Sequence, residues 1–234
     1  MKKVVLAFIM FFVMTSASFA DSNVYITQSG ASLDLDITLD GNGNAVGASN
    51  DRTLLTGANL DVDIDLIGAT NTITGDFIGA GESGSDDLKI HQTGSTNTTA
   101  LNVGASAATD DVKILETRVG SSGATSYTIG SSATVQDVSV TVDVIGDDID
   151  IAVTENSSSS GSDKTTDIDI GTDSDDVDII VTHTGAGAHK TKLLCTGSCA
   201  GSDFTMSQTG ANSTDVDITV TNASSSDVDI TITD

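Results

Sequence analysis

The chain has 234 residues, 34 acidic side chains against nine basic ones, and a formal net charge of −25. That balance excludes nucleic acid and anionic membrane surfaces as partners, because binding to phosphate needs lysine and arginine in quantity. Aromatics make up 3% of the residues and there is no proline, so a thin interior of Val, Ile and Leu must fill any core, and nothing interrupts strand hydrogen bonding.

Residues 1–20 read as an export signal. Lys2 and Lys3 form the charged start, Val4 to Met14 the apolar stretch, and Ser18-Phe19-Ala20 a small-x-small cleavage site. Removing them takes away two of the nine basic residues and none of the 34 acidic ones, which leaves a mature chain near −27. No later stretch approaches ~20 continuous apolar residues, so a helical transmembrane anchor is not expected. The expected location is secreted, extracellular or on the cell surface, with residues 21–234 as one repeat domain.

Alternation of apolar and polar residues then recurs along the chain. Val24 to Gln28 is the first strand, with Val24, Ile26 and Gln28 inward. Leu33, Leu35, Ile37 and Leu39 alternate with Asp34, Asp36 and Thr38. Asp40 to Asp51 reads as a loop. Leu60 to Leu66 alternates with Asp61, Asp63 and Asp65. Leu88, Ile90 and Gln92 fall on one side of a strand, Lys89 and His91 on the other. Thr93 to Thr96 bends the chain, and Thr99, Leu101 and Val103 follow on a second strand. Val112/Ile114, Val138 to Val144, Ile149 to Val153, Ile168/Ile170, Val177 to Val181, Phe204 to Gln208, Val216 to Val220 and Val228 to Ile232 continue the rhythm.

The spacing from Asp87 to Asp111 is 24 residues, from Asp111 to Asp137 26, from Asp176 to Asp203 27, and from Asp203 to Asp227 24. Asp137 to Asp176 is 39, which suits neither one repeat nor two. A period in the twenties predicts an all-β solenoid of stacked two-strand coils, roughly eight of them.

Gln92-Thr93-Gly94-Ser95-Thr96-Asn97 carries the Gln-x-Gly-x-x-Asn turn that joins the strands of curlin repeats. Gln28-Ser29-Gly30 and Gln208-Thr209-Gly210 match its first half, and Gly68-Ala69-Thr70-Asn71 its second. The chain thus resembles the curlin family, the subunits of bacterial curli fibres. It departs in lacking the second Gln, which would fall at Val103, and in its many aspartates. The resemblance implies a solenoid that stacks end to end into an amyloid-like extracellular fibre of surface adhesion or biofilm matrix. A nucleator or export pore would be its further partner. The stacking surfaces would be the end strands, Val24/Ile26 and Val228/Ile230/Ile232, and Gln28, Gln92 and Gln208 would fall over one another along the stack. The alternative is a monomeric acidic solenoid, an adhesin or a surface protein that binds divalent cations.

Other chemistry is sparse. The Asp pairs at 34/36, 61/63/65, 148/150, 167/169, 176/178, 215/217 and 227/229 should form carboxylate columns on the outer faces. These read as solvated faces, with Ca2+ or Mg2+ bridging as the sharper reading. Asp40, Asn42, Asn44 and Asp51 carry a degenerate calcium-loop spacing in which Ala45 replaces the required glycine. No cofactor is otherwise implied. Cys195 and Cys199 read as a disulfide in an exported chain; His183 and His189 before them would also space a two-His, two-Cys zinc set. No catalytic motif occurs, so no enzymatic activity is expected.

Overall fold

A computed structural model describes residues 22–29, 33–47, 53–57, 59–79, 86–104, 111–130, 137–156, 163–171, 174–196, 199–210, 213–221 and 225–233. Residues 1–20, Gly30 and Asp51 lie outside them.

The described residues contain strands and turns and no helix. In chain order the strands are β1 (Ser22–Val24), β2 (Thr27–Ser29), β3 (Leu33–Asp40), β4 (Gly43–Val46), β5 (Thr53–Gly57), β6 (Leu60–Ile67), β7 (Thr70–Gly79), β8 (Asp86–Thr93), β9 (Thr96–Val103), β10 (Val112–Val119), β11 (Ser122–Ile129), β12 (Val138–Ile145), β13 (Ile149–Asn156), β14 (Lys164–Ile170), β15 (Val177–Thr184), β16 (Ala188–Cys195), β17 (Asp203–Thr209), β18 (Ser213–Val220) and β19 (Asp227–Thr233). Apart from β1/β2 and β4/β5, each pair of which shares a sheet, successive strands go to alternate sheets. One sheet runs β3-β6-β8-β10-β12-β14-β16-β18; the other runs from β1 and β2 through β4 and β5 to β7-β9-β11-β13-β15-β17-β19. Every strand pair is parallel. The chain is therefore a β-solenoid, with the inward residues of the two sheets meeting in a single core that runs its length.

The coil length is steady in the middle: Asp61 pairs with Asp87, Asp87 with Lys113, and Lys113 with Ser139, the same step each time. The long interval between Asp137 and Asp176 resolves into a coil and a half. Val138 pairs with Lys164, one such step on, and the stretch from Asp163 to Asp176 crosses to the other sheet. Asp137 and Asp176 thus precede strands of different sheets. Asp111, Asp137, Asp148 and Asp176 all have φ between 46° and 55°, a left-handed conformation that Asp tolerates better than most residues. Asp148 and Asp176 accordingly mark corners and not the strand faces that alternation gives them.

Two other expectations change. The first strand is broken: β1 and β2 flank Tyr25-Ile26. The segment Asp40–Asp51 contains β4. Both follow from an insertion in the second coil. Gly43 of β4 pairs with Thr70 of β7, and Thr53 of β5 pairs with Gly75 of the same strand. The chain from Gly43 to Thr53 is twice as long as the stretch of β7 it lies along, so β4 and β5 pair with one continuous strand as two separate pieces. Gly47, at φ 76°, gives its N–H to the Val24 carbonyl, and Leu54 gives its own to Ile26.

One corner admits no side chain. A Cβ on Gly94 would run into the Gly68 carbonyl, one on Gly68 into that of Gly41, and one on Gly120 into that of Gly94. Just inside this column the amide of Asn44 donates to Asn71 Oδ1 (3.0 Å) and that of Asn71 to Asn97 Oδ1 (2.8 Å). The same amides satisfy turn carbonyls: Asn44 bonds Ile67, Asn71 bonds Thr93 and Asn97 bonds Val119. The turn motif Gly-x-x-Asn therefore closes the corner of one coil on the next. Gly94→Ala should lower the unfolding free energy by about 2 kcal/mol or more, read from the midpoint of a denaturant titration; an unshifted midpoint would contradict this packing.

Candidate functional site

The interior is not uniformly apolar, and its polar groups fall into two clusters. Strands of the two sheets run in opposite directions, so the end of one strand faces the start of the next. In the first cluster, Glu116 and Arg118 occupy inward positions late in β10 and are buried. Thr99 donates to Glu116 Oε1 (2.9 Å), Thr125 to Oε2 (2.9 Å) and the Tyr127 hydroxyl to Oε2 (3.0 Å). Arg118 donates to Thr125 Oγ1 (2.9 Å) and packs over Gly123, where a Cβ would stand 3.2 Å from its Cζ. Gly123 continues the Asn71–Asn97 column, so Arg118 takes the space at which the asparagine ladder stops. Burial lowers the Arg118 pKa and Glu116 partly restores it; burial, then the charge of Glu116, holds the Tyr127 phenol well above its ordinary value.

The second cluster lies at the opposite edge of the core, starting two rungs beyond β10 in its sheet and one rung beyond β11 in the other. Here Glu155 and His183 end β13 and β15, and Lys164 and His189 begin β14 and β16. Gln208 donates to His183 Nδ1 (3.4 Å) and to Thr191 (3.1 Å). With Nδ1 as acceptor, the neutral ring carries its proton on Nε2 and gives it to Thr166 (2.9 Å). Thr166 in turn donates to Glu155 Oε1 (2.9 Å). Lys164 Nζ lies 3.5 Å from His189 Nε2, and the two imidazoles meet edge to face at 5.4 Å. Burial raises the Glu155 carboxyl to about 8 and lowers His183 to about 3. It also lowers His189 and Lys164.

Sequence reasoning missed both clusters. It places Gln92 inward, as found: Gln92 is buried and accepts from Thr99 at 3.3 Å. The three glutamines do not stack, however. Gln92 lies in the sheet of β8, between Leu66 and Arg118, whereas Gln208 lies in the other sheet, between His183 and Ile232. Gln28 belongs to β2, in the sheet of Gln208 but at its far end. Asn97 joins the asparagine ladder, and Gly94 its corner. Gly210, at φ 78°, gives its N–H to Thr233.

Cys195 and Cys199 form a disulfide, with 6.4 Å between their Cα atoms. Their sulfurs are therefore not zinc ligands, and His183 is engaged at both ring nitrogens. Of the calcium-loop residues, Asp40 closes β3, Asn42 accepts from the Thr70 N–H through its carbonyl, and Asn44 turns its amide into the ladder. Among the described residues, no three His, Cys, Asp or Glu side chains gather as a metal set.

The outer faces differ. On the face of β3 to β18, lysines interleave with the aspartates: Lys192 reaches Asp167 (2.9 Å) and Asp169 (3.3 Å), Lys89 reaches Asp61 (3.6 Å) and Lys190 reaches Asp215 (3.7 Å). His91 lies on this face against Asp65 (3.2 Å). On the other face Asp150, Asp178, Asp203 and Asp227 stack in consecutive rungs. Desolvation, then the charges of Asp203, Asp150 and Asp176, raises the Asp178 pKa.

At the C-terminal end of the stack, β19 pairs on one edge with β17, and no strand covers its other edge among the described residues. Val228, Ile230 and Ile232 continue the inward tracks of Phe204, Met206 and Gln208, yet they are 42%, 47% and 48% exposed. At the other end Val24, Ile26, Leu33, Leu35 and Leu39 are only half-covered.

These features define the class, an all-β parallel solenoid. No family model matches the chain, and neither a curated protein nor a solved structure is similar to it. Among the described residues, no helix is long and apolar enough to cross a membrane.

The buried titratable pair sets a pH signature. Glu155 rises from 4.5 to about 8 on folding, so its contribution is full below pH 4.5 and lost as pH rises to 8. His183 falls from 6.5 to about 3, so its contribution is full above pH 6.5 and lost as pH falls to 3. Between pH 4.5 and 6.5 the two slopes cancel. Glu155→Gln should therefore remove the stability loss between pH 6.5 and 8, and His183→Gln the loss below pH 4.5. Denaturant titrations of each variant against the parent chain across pH 3–8 check this; parallel curves would refute it.

Proposed function

We propose that the protein is an exported structural subunit of a curli-like extracellular fibre, assembling end to end by strand pairing. One observation carries the reading: β19 presents Val228, Ile230 and Ile232 in line with a core, and among the described residues no strand stacks upon them. Covering the exposed half of each such side chain contributes about 1 kcal/mol, and a free parallel edge offers backbone groups to another chain. The curlin-like turn supports the same reading, because Gly68, Gly94, Asn71 and Asn97 act in stacking one coil on another. The acidic outer faces suit it too, since they keep subunits from clumping sideways while the ends remain apolar.

The mature chain should form fibres visible by electron microscopy and sedimenting from solution, faster in high salt, where charge repulsion near −27 per subunit is screened. Ile230→Lys should abolish them. Ile180→Lys is the matched control, since Ile180 is 50% exposed on an outward face in mid-stack; it changes the net charge equally and should leave assembly intact. A single soluble species at every salt concentration would favour the monomeric adhesin instead.

A further inference from the structure

The two sheets are unequal. Counting β1 with β2 and β4 with β5 as single rungs, one sheet has nine rungs and the other has the eight from β3 to β18. The described stack thus holds an odd number of half-coils. If a second copy is added by translation, with its β1/β2 on β19, the sheet of β18 is left one rung short: the empty level separates β18 from the β3 of the next copy. Moving the copy one rung closer places its β1/β2 on the level that β19 already occupies. A half-turn about the long axis removes the conflict. It exchanges the two sheets and, because they run in opposite directions, keeps every pairing parallel.

We propose, on the reading that the chain assembles end to end, that successive copies are related by this half-turn, with β3 of one copy pairing with β19 of the last and β1/β2 with β18. The sequence supports it independently of the count. Asp-x-Asp-Ile-Thr occurs three times, at Asp34, Asp215 and Asp227, in β3, β18 and β19, which are three of the four end rungs. No other strand carries it. The structural register and this match coincide. Ser226, Val228, Ile230 and Ile232 are the inward positions of β19 counted from its corner, and Leu33, Leu35, Ile37 and Leu39 are those of β3. The half-turn superposes the two sets in order, so Val228 meets Leu35, Ile230 meets Ile37 and Ile232 meets Leu39. Outward, Asp229 meets Asp36 and Thr231 meets Thr38. On the other side Val24 meets Val216, Ile26 meets Ile218 and Thr27 meets Thr219.

Stacking of Asp over Asp at the junction repeats what the chain already does at Asp34/Asp61 and at Asp178/Asp203. In-register rungs lie about 4.8 Å apart, within the Cα separation that a disulfide spans. Cross-linking therefore reads the junction directly. Single variants Thr231→Cys, Thr38→Cys, Thr219→Cys and Thr27→Cys are all at exposed outward positions, where folding tolerates the change. They are mixed in pairs under assembly conditions, oxidised, and run on non-reducing gels, while sedimentation reports assembly. The half-turn gives dimers for Thr231→Cys with Thr38→Cys and for Thr219→Cys with Thr27→Cys. Translation gives them for Thr231→Cys with Thr27→Cys and none with Thr219→Cys. Sedimenting assemblies without the first two cross-links overturn the half-turn alone. Failure to sediment at any salt overturns the fibre reading and this inference with it.

Discussion

Parallel, in-register stacking places each side chain directly over its counterpart one coil away, and this constraint governs the whole molecule. A position that suits one rung must suit the next, so residues are selected by column. The corner at Gly68, Gly94 and Gly120 shows it at its strictest: each glycine's missing Cβ is the room that a neighbouring carbonyl fills. The asparagines beside it show the favourable side. An amide that accepts from one rung and donates to the next can repeat, and Asn71 does so between Asn44 and Asn97, while the amides of all three also satisfy turn carbonyls. Where the column reaches Gly123 the ladder stops, and the guanidinium of Arg118 takes over.

The same constraint explains why the polar clusters are compact. A buried charge cannot repeat from rung to rung without like-charge repulsion, so each is neutralised by neighbours on both sheets. Glu116 accepts from three hydroxyls and has Arg118 beside it. Glu155 solves the problem by holding its proton, and His183 by refusing one. Between the clusters lies β12, whose inward residues Val138, Val140, Val142 and Val144 are all buried. This apolar rung lets the polar edge of the core change sides, from the late half of β10 to the early half of β14. Such groups cost desolvation, and they fix register: sliding β10 or β14 by two residues would leave Glu116 or Lys164 facing Val or Ile.

Much of this was legible in the sequence. Strand alternation has period 2, and it survives because every strand has one buried face; hence the solenoid, the inward Leu88, Ile90 and Gln92, and the outward Lys89 and His91 all follow from it. The same parity, carried two steps beyond Ile114, puts Glu116 and Arg118 indoors. That signal was present, but charged side chains on an apolar track read more readily as the end of a strand. What alternation cannot tell is which sheet a strand joins, since the two sheets look alike in one dimension. That is why Asp137 and Asp176 gave a spacing of a coil and a half, and why three glutamines in similar turns were expected to stack. Strand β4 was hidden for a related reason: a stretch rich in Gly and Asn looks like loop whether or not part of it pairs.

The ends of the stack bring these points together. An interior rung is held by a rung above and a rung below, so its apolar residues are buried; among the described residues β19 has only one neighbour, and its inward residues are exposed to nearly half. A monomer could reduce that exposure with a polar or bulky final rung, as capping repeats do. Instead β18 and β19 repeat the pattern of β3, with Val, Ile and Thr where β3 has Leu, Ile and Thr. Their outward aspartates do not alter this, because the cost of a carboxylate stacked in water is about 1 kcal/mol at roughly 4–5 Å and falls in salt. Apolar gain on three inward positions outweighs that cost on two outward ones. This balance is what the end-to-end proposal rests on.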